Sequence, residues 1–98
     1  MGSRAPRSGN DGEIDSLLAF PCEFPIKVVG RKQPRFAQEI LAIVLRHAPD
    51  YNAETMEMRP SRQGTYLSLT VTITAVSREQ LDALYRELCD HPGVNMVL

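Results

Sequence analysis

The sequence predicts an α+β domain whose elements run in the order β-α-β-β-α-β. Three observations carry this prediction: a long alternating segment at residues 65–75, an apolar helical repeat that follows Pro34, and a second helix that begins with a capping signal at Ser77. In this order each β-α-β crossover should be right-handed, and both helices should cover one face of an antiparallel sheet. The expected architecture is therefore a ferredoxin-like sandwich with a four-stranded sheet and two helices.

The segment 65–75 alternates polar and apolar residues without interruption. Successive side chains on a strand point to opposite faces, so its apolar residues share the face that packs on the core. Because the segment is roughly twice the mean strand length, we expect it in the middle of the sheet, paired with the first strand. The residues predicted to point inward are Leu67, Leu69, Val71, Ile73 and Ala75.

The other three strands are shorter. The first alternates through Phe24, Ile26 and Val28 and ends at Gly30. The second covers residues 55–59 and turns through residues 60–64 into the long strand, and the last covers residues 94–98. We expect the second and last strands at the edges of the sheet. Their inward residues are predicted to be Met56, Met58, Val94 and Met96.

Both helices have recognisable ends. Pro34 suits the first position of a helix, and Pro49 stops that helix. In the second helix Ser77 can cap the amide of Gln80, Gln80 can reach back, and the preceding residue can pack on Leu81. The segment His91-Pro92-Gly93 ends it. Apolar residues recur at helical spacing in the first helix at Phe36, Ala37, Ile40, Leu41, Val44, Leu45 and Ala48.

The composition indicates one small domain. Residues 1–16 contain little that could be buried, so they are predicted to be a disordered tail, and residues 17–98 form the single folded unit. No apolar run is long enough for a membrane span, and the N-terminus lacks the apolar core of a signal peptide. We therefore expect a cytoplasmic protein that does not contact membranes.

Neither the cysteines nor the net charge indicates a cofactor or a nucleic-acid partner. Cys22 and Cys89 lack the spacing of a zinc or redox site, so they are predicted to be reduced thiols and no cofactor is expected. Residues 20–98 carry nine Lys or Arg and nine Asp or Glu. The folded part is thus neutral and has no overall basic field that would gather nucleic acid.

Several short sequence motifs along residues 18–98, taken together, indicate a family resemblance. They are Phe20-Pro21, Phe24, Lys27-Val28, Gly30, Arg46-His47-Ala48-Pro49, Ser61, Gly64, Tyr66, Ser68, Leu84-Tyr85, Glu87-Leu88 and Met96-Val97-Leu98. Their order and spacing resemble the YbeD family, small bacterial proteins of unassigned activity with an ACT-like fold that are often labelled lipoate regulatory proteins. The resemblance implies a regulatory domain linked to lipoate metabolism and supplies no catalytic residues.

The opening of the first helix is also similar to that of ACT domains. There a glycine leaves room for an amino-acid ligand, and Arg35 stands at that position in this chain. The usual ACT mode of amino-acid binding is therefore not expected. The short edge strands leave a homodimer open, because ACT-like domains commonly associate side by side.

The predicted topology gathers cationic residues at one end of the sheet, which we call the basic end. The end of strand one, the turn between strands two and three, and the loop after helix two meet there, with His91 nearby. The N-terminus of the first helix points to the same end and favours an anion. We predict that this end binds a protein partner or a small anionic ligand, the alternative being solvated side chains without a role. The predicted binding residues are Gly30, Arg31, Lys32, Arg35, Arg59, Arg62, Gly64 and Tyr66.

Catalysis is not predicted. His47 lies in the last turn of the first helix, where a cation meets the negative end of the helix dipole, and no partner for nucleophilic catalysis stands at a recognisable spacing. The topology also separates His47 from His91, so the two cannot share a metal ion. An acylphosphatase-like hydrolase is the enzyme alternative. Gly30-Arg31 resembles its arginine loop, but residues 55–59 lack the asparagine of such enzymes.

RNA binding is the remaining alternative, because RNA-recognition domains use the open face of the same kind of sheet. Those domains stack bases on two or three aromatic residues, whereas Tyr66 is the one aromatic residue predicted on this face. Nucleic acid is therefore not the expected partner. The open face is predicted to carry Lys27, Val29, Tyr66, Ser68, Thr70, Thr72, Asn95 and Val97.

Overall fold

The structure, a computed structural model, describes residues 19–98 and has the predicted order of elements. The predicted tail at residues 1–16 and the start of the folded unit at residue 17 lie outside the described residues. Within residues 19–98, neither helix combines the length and the apolar character that crossing a bilayer requires. The strands are β1 (Cys22–Arg31), β2 (Glu57–Pro60), β3 (Tyr66–Ala75) and β4 (Val94–Val97), and the helices are α1 (Phe36–His47) and α2 (Arg78–Asp90).

The four strands form one antiparallel sheet in the order β2-β3-β1-β4. The two long strands pair over their whole length, from Cys22 opposite Ala75 to Arg31 opposite Tyr66. The predictions that the long strand is central and that the two short strands form the edges are confirmed. The sheet and the two helices together make the predicted ferredoxin-like fold.

The core lies between the helices and one face of the sheet. The inward residues predicted for β3 are buried, except that Leu67 is half-buried. Ile26 and Val28 of β1 are fully buried, and Phe24 packs against the same core. Leu84 and Leu88 of α2 are fully buried as well. The periodicity of the sequence therefore predicts the core-facing side of the central strands and of the helices.

The second helix begins as predicted. The Ser77 hydroxyl accepts a hydrogen bond from the Gln80 amide at 3.0 Å, and the Gln80 side-chain oxygen accepts one from the Val76 amide at 2.7 Å. The side-chain nitrogen of Gln80 also donates to the His47 carbonyl at 2.8 Å, a contact that the sequence does not predict. Gln80 thus joins the end of α1 to the start of α2. Val76 remains 59% exposed, so the predicted packing on Leu81 buries little of it.

The first helix begins at Phe36, two residues later than predicted. The Phe36 amide donates to the Gln33 carbonyl at 3.1 Å, which closes a turn through Pro34 and Arg35. Arg35 has a φ of −109° and a ψ of 6°, outside the helical region. The turn uses the dihedral preference of Pro34 before the helix, and Pro49 follows the last helical residues as expected.

The predicted orientation of β4 is wrong at two residues. Val94 lies opposite Gly30, but the next paired residue, Met96, lies opposite Val29, so Asn95 is an extra residue in a β-bulge. The bulge shifts the alternation by one position after Val94. Met96 therefore lies on the open face, 50% exposed, whereas Val97 lies opposite Val28 and packs against the core.

The other edge strand also differs from the prediction. β2 begins at Glu57, because Ala53–Thr55 forms a short 3-10 turn. Met56 is half-buried against the core, as predicted. Met58 lies opposite the core residue Leu69 and so faces the helix side, but it is 60% exposed because β2 lies outside the area that the helices cover.

Candidate functional site

The basic end is built on a close contact at Gly30. A Cβ atom at Gly30 would lie well inside 3.0 Å of both the Gly93 carbonyl oxygen and the Phe36 ring. Only glycine allows β1 to pass this close to the loop after α2 and the start of α1. Gly30 is buried, so its contribution to the predicted site is to hold these segments together rather than to contact a ligand.

Arg31 and Tyr66 are brought together at the last pair of the β1–β3 ladder. The guanidinium carbon of Arg31 lies 5.9 Å from the centre of the Tyr66 ring, within range of a cation–π interaction. The Tyr66 amide donates to the Ser61 hydroxyl at 3.1 Å, and the Lys32 amide donates to the Thr65 carbonyl at 2.9 Å. The first bond holds the start of β3 to the turn that precedes it, and the second holds it against the segment that follows β1.

The turn between β2 and β3 places Arg62 beside Tyr66. The Gly64 amide donates to the Ser61 carbonyl at 2.9 Å, and Gly64 has a φ of 77°, a conformation that favours glycine. A shallow depression of about 260 Å³ lies over this turn. It is lined by Ser61, Arg62, Gln63, Thr65 and Tyr66. Gly64 therefore shapes the turn that presents Arg62.

The structure divides the remaining predicted residues between the two faces of the sheet. Lys32 lines a mainly apolar groove of about 480 Å³ on the helix side, and Arg35 directly precedes α1. Arg59 instead lies opposite Ser68 on the open face. The basic end therefore has three parts. Lys32 and Arg35 lie on the helix side of the sheet. Arg31, Arg59 and Tyr66 lie on the open face, and Arg62 lies in the turn between β2 and β3.

The cations of the basic end lack counter-ions within residues 19–98, because none of them forms an ion pair with a carboxylate there. All of them are exposed. Their positive charge is thus available to an external anion. These cations are Arg31, Lys32, Arg35, Arg59 and Arg62.

His91 lies at this end, as predicted, and both of its ring nitrogens have a partner. The Gly93 amide donates to His91 Nδ1 at 2.9 Å. The other ring nitrogen, Nε2, lies 2.7 Å from Glu39 Oε1. The imidazole therefore links the loop after α2 to the first turn of α1.

A second charged cluster, which the sequence analysis missed, joins the two helices. Glu87 of α2 accepts from His47 Nε2 at 2.7 Å and also pairs with Arg46. His47 thus has a carboxylate partner from another helix, in addition to the favourable helix-end position predicted for it. No sequence spacing could have indicated this partner, because the contact depends on how the two helices pack.

The described residues also include one phenol with a shifted pKa and two free thiols. Burial raises the pKa of Tyr85, and the nearby Cys89 raises it further, so this phenol stays protonated at neutral pH. Cys22 and Cys89 are both unpaired thiols. No three His, Cys, Asp or Glu side chains in the described part of the chain come together in a way that could hold a metal ion.

The open face is less polar than the sequence predicts. The bulge in β4 places Met96 beside Val29, and Leu98 pairs with Lys27 on the same face. Leu98 is 61% exposed. Next to these residues lies a depression of about 610 Å³ that three strands form. It is lined by Lys27, Glu57, Met58, Arg59, Ser68 and Thr70.

Solved structures similar to this chain confirm the fold. The ACT domain from GTP pyrophosphokinase of Chlorobium tepidum superposes with a TM-score of 0.62 at 18% identity, covering 78% of this chain and 94% of that domain. Protein HP0495 from H. pylori superposes with a TM-score of 0.63 at 14% identity, covering 83% and 85% of the two chains. At these identities the likeness concerns the fold alone.

Sequence relatives define the family. UPF0250 protein NE1487 of Nitrosomonas europaea is 55% identical over 84 residues, which cover 86% of this chain and 97% of that protein. A UPF0250 protein of Bordetella pertussis is 51% identical over 84 residues, covering 86% and 92% of the two chains. The model of the family described as "Protein of unknown function (DUF493)" matches residues 15–98. These matches are consistent with the resemblance to YbeD proteins, and the chain belongs to the DUF493 family, together with its UPF0250 relatives.

Proposed function

We propose that this domain is a regulatory or adaptor module that binds an acidic group of a protein partner, or a small anionic ligand, at its basic end. One observation carries the proposal: five exposed cations surround the end of the sheet, and none of them is paired with a carboxylate of residues 19–98. A partner that presents several acidic groups can contact cations of more than one face of this end, whereas a small anion contacts those of one face. Such binding breaks no existing ion pair of the described residues.

The positive electrostatic field of the basic end has a short range. The whole chain has a formal net charge of −1, so distant charges do not reinforce the basic end. At physiological ionic strength exposed charges act over roughly 8 Å, which is the scale of a single loop or turn. A bound anion must therefore contact the cations directly, and its affinity should fall steeply as salt is added.

Binding rather than catalysis is the activity that the side chains favour. Both histidines are engaged in hydrogen bonds to glutamates, His47 with Glu87 and His91 with Glu39. Arg31 makes a cation–π contact with Tyr66. In the acylphosphatase-like alternative, the corresponding arginine would instead bind phosphate in a glycine-rich loop. The YbeD resemblance extends the proposal to a cytoplasmic role linked to lipoate metabolism.

Anion binding can be tested by NMR titration of the full chain at low salt with inorganic pyrophosphate and with a hexaglutamate peptide. We expect shifts at the basic end, and a loss of affinity of about tenfold or more when Arg31, Lys32 and Arg35 are replaced by serine, because several charged contacts disappear. Lipoate serves as a third probe. Shifts at the same residues support the metabolic link, and their absence with the other two probes active argues against it.

A matched control removes the same charge from the other side of the molecule. Replacing Arg46, Arg78 and Arg86 with serine changes the net charge equally, but all three lie on the helices. This control should bind the probes as the natural chain does. Equal affinity of the basic-end variant and the helix variant would contradict a specific site and leave only non-specific attraction.

A further inference from the structure

The open face of the sheet carries an apolar strip next to the basic end. Val29 lies opposite Met96, and Leu98 exchanges two backbone hydrogen bonds with Lys27, at 3.1 and 2.8 Å. Met96 is 50% exposed and Leu98 is 61% exposed. Tyr66, 38% exposed, lies diagonally across from Val29 on the neighbouring strand. Covering such side chains is favourable, because it removes apolar surface from water.

Cations flank this strip within the same rows of the sheet. Arg59 lies opposite Ser68, which in turn lies opposite Val29, so Arg59 and Met96 stand at the two ends of one row. Lys27 is two positions before Val29 on the same strand and face. Glu57 shares the row of Lys27, but the two form no ion pair within the described residues.

We propose that the open face binds an extended acidic segment of a partner protein that also carries aliphatic side chains. Carboxylates of the segment would contact Lys27 and Arg59 in the depression between the strands. Its aliphatic side chains would cover Val29, Met96 and Leu98. This inference rests on the proposed function and names the class of partner.

The chemistry of the face favours this partner over nucleic acid or a lipid surface. Bases stack on aromatic side chains, and Tyr66 is the one aromatic residue among the described residues of this face. Aliphatic side chains of a peptide match the aliphatic strip. Alternate residues of an extended peptide are about 6.5 Å apart, the same spacing as Lys27 and Val29, so one peptide can contact both.

A blocked peptide with the sequence Glu-Ser-Leu-Ser-Glu-Ser-Leu serves as the probe, since its Glu and Leu residues share one face when it is extended. We expect it to shift NMR signals of β1, β3 and β4 in the full chain. Replacing each Glu of the peptide by Gln should abolish most of the binding. Replacing each Leu by Ser should weaken the binding comparably.

Two exposed apolar residues supply a matched pair of variants. Met96 is 50% exposed on the open face, whereas Val76 is 59% exposed and follows the end of β3 that is farthest from Tyr66. Met96→Ser should weaken peptide binding about tenfold, because it removes a side chain that the peptide covers. Val76→Ser should leave the affinity unchanged. Urea unfolding of both variants checks that each is folded.

Three results would overturn the inference. Equal weakening by Met96→Ser and Val76→Ser would show that the peptide does not recognise the open face. Shifts confined to residues 31–35 would place the peptide at the basic end alone, leaving the proposed function intact. Tighter association with phosphatidylglycerol vesicles than with the peptide would show that the open face binds a lipid surface and not a peptide. If pyrophosphate and hexaglutamate also fail to bind, the proposed function fails as well.

Discussion

The helix layer and the basic end contain the same kinds of charged side chains but use them differently. In the helix layer, Glu87 binds both Arg46 and His47, and Arg78 pairs with Asp82. At the basic end, no cation is paired with a carboxylate of residues 19–98. The comparison teaches that the number of charges on a surface says little about function, whereas the absence of internal partners indicates which charges are available.

Geometry explains the difference. The packed helices bring an acidic side chain of α2 to the end of α1, where Arg46 and His47 also favour the negative end of the helix dipole. The cations of the basic end come from a strand end, a turn and an edge strand, with few acidic residues between them. Glu57 lies two residues before Arg59, and Glu39 lies four residues after Arg35 and is engaged with His91. Within residues 19–98 neither carboxylate forms an ion pair with these cations.

The largest effect is expected at Gly30, which tests whether the basic end depends on packing. Gly30→Ala would force a methyl group against the Gly93 carbonyl and the Phe36 ring. We expect it to lower the free energy of unfolding by about 3 kcal/mol, measured by urea denaturation. Gly64→Ala is the control, since nothing lies within 4 Å of its added methyl group. Its positive φ should cost about 1 kcal/mol, and an equal loss at both glycines would refute the packing role.

A smaller effect is expected at Gln80, which connects the two helices. Gln80→Ala removes hydrogen bonds to the Val76 amide and to the His47 carbonyl. Each such bond contributes about 1 kcal/mol, so thermal or urea unfolding should show a loss of about 1 to 2 kcal/mol. Gln80→Glu keeps the acceptor but loses the donor, and it should recover about half of the loss. Full recovery by Glu would show that the bond to His47 contributes nothing.

The smallest effects on stability are expected when single charged side chains are replaced. These variants most directly test the comparison between the helix layer and the basic end. Glu87→Gln weakens an exposed ion pair and should lower the free energy of unfolding by about 0.5 kcal/mol at low salt. Arg62→Ser removes a cation with no ion-pair partner among the described residues, so its unfolding curve should match that of the natural chain. A larger loss of unfolding free energy for Arg62→Ser than for Glu87→Gln would contradict the distinction between stabilising charges in the helix layer and available charges at the basic end.

The candidate site could be predicted in part. The topology correctly brings Arg31 to Tyr66 and the loop of His91 to the same end, because antiparallel pairing of β1 with β3 determines which ends meet. The prediction failed to separate Arg59 from Lys32 and Arg35, since the face that a residue on a short edge strand occupies depends on its pairing register. It also did not predict the partners of the His91 ring, which are the Gly93 amide and Glu39.

By itself, the sequence determined the order of elements, the buried face of the central strands and the capping of α2 by Ser77. These features could be predicted because strand alternation, helical periodicity and helix caps depend on residues that are close in the chain. Tertiary structure decided three other features: the bulge at Asn95 that turns Met96 to the open face, the pairing of Glu87 with His47, and the glycine contact at Gly30. Each of these depends on the register between segments that are distant in sequence, and local patterns do not encode that register.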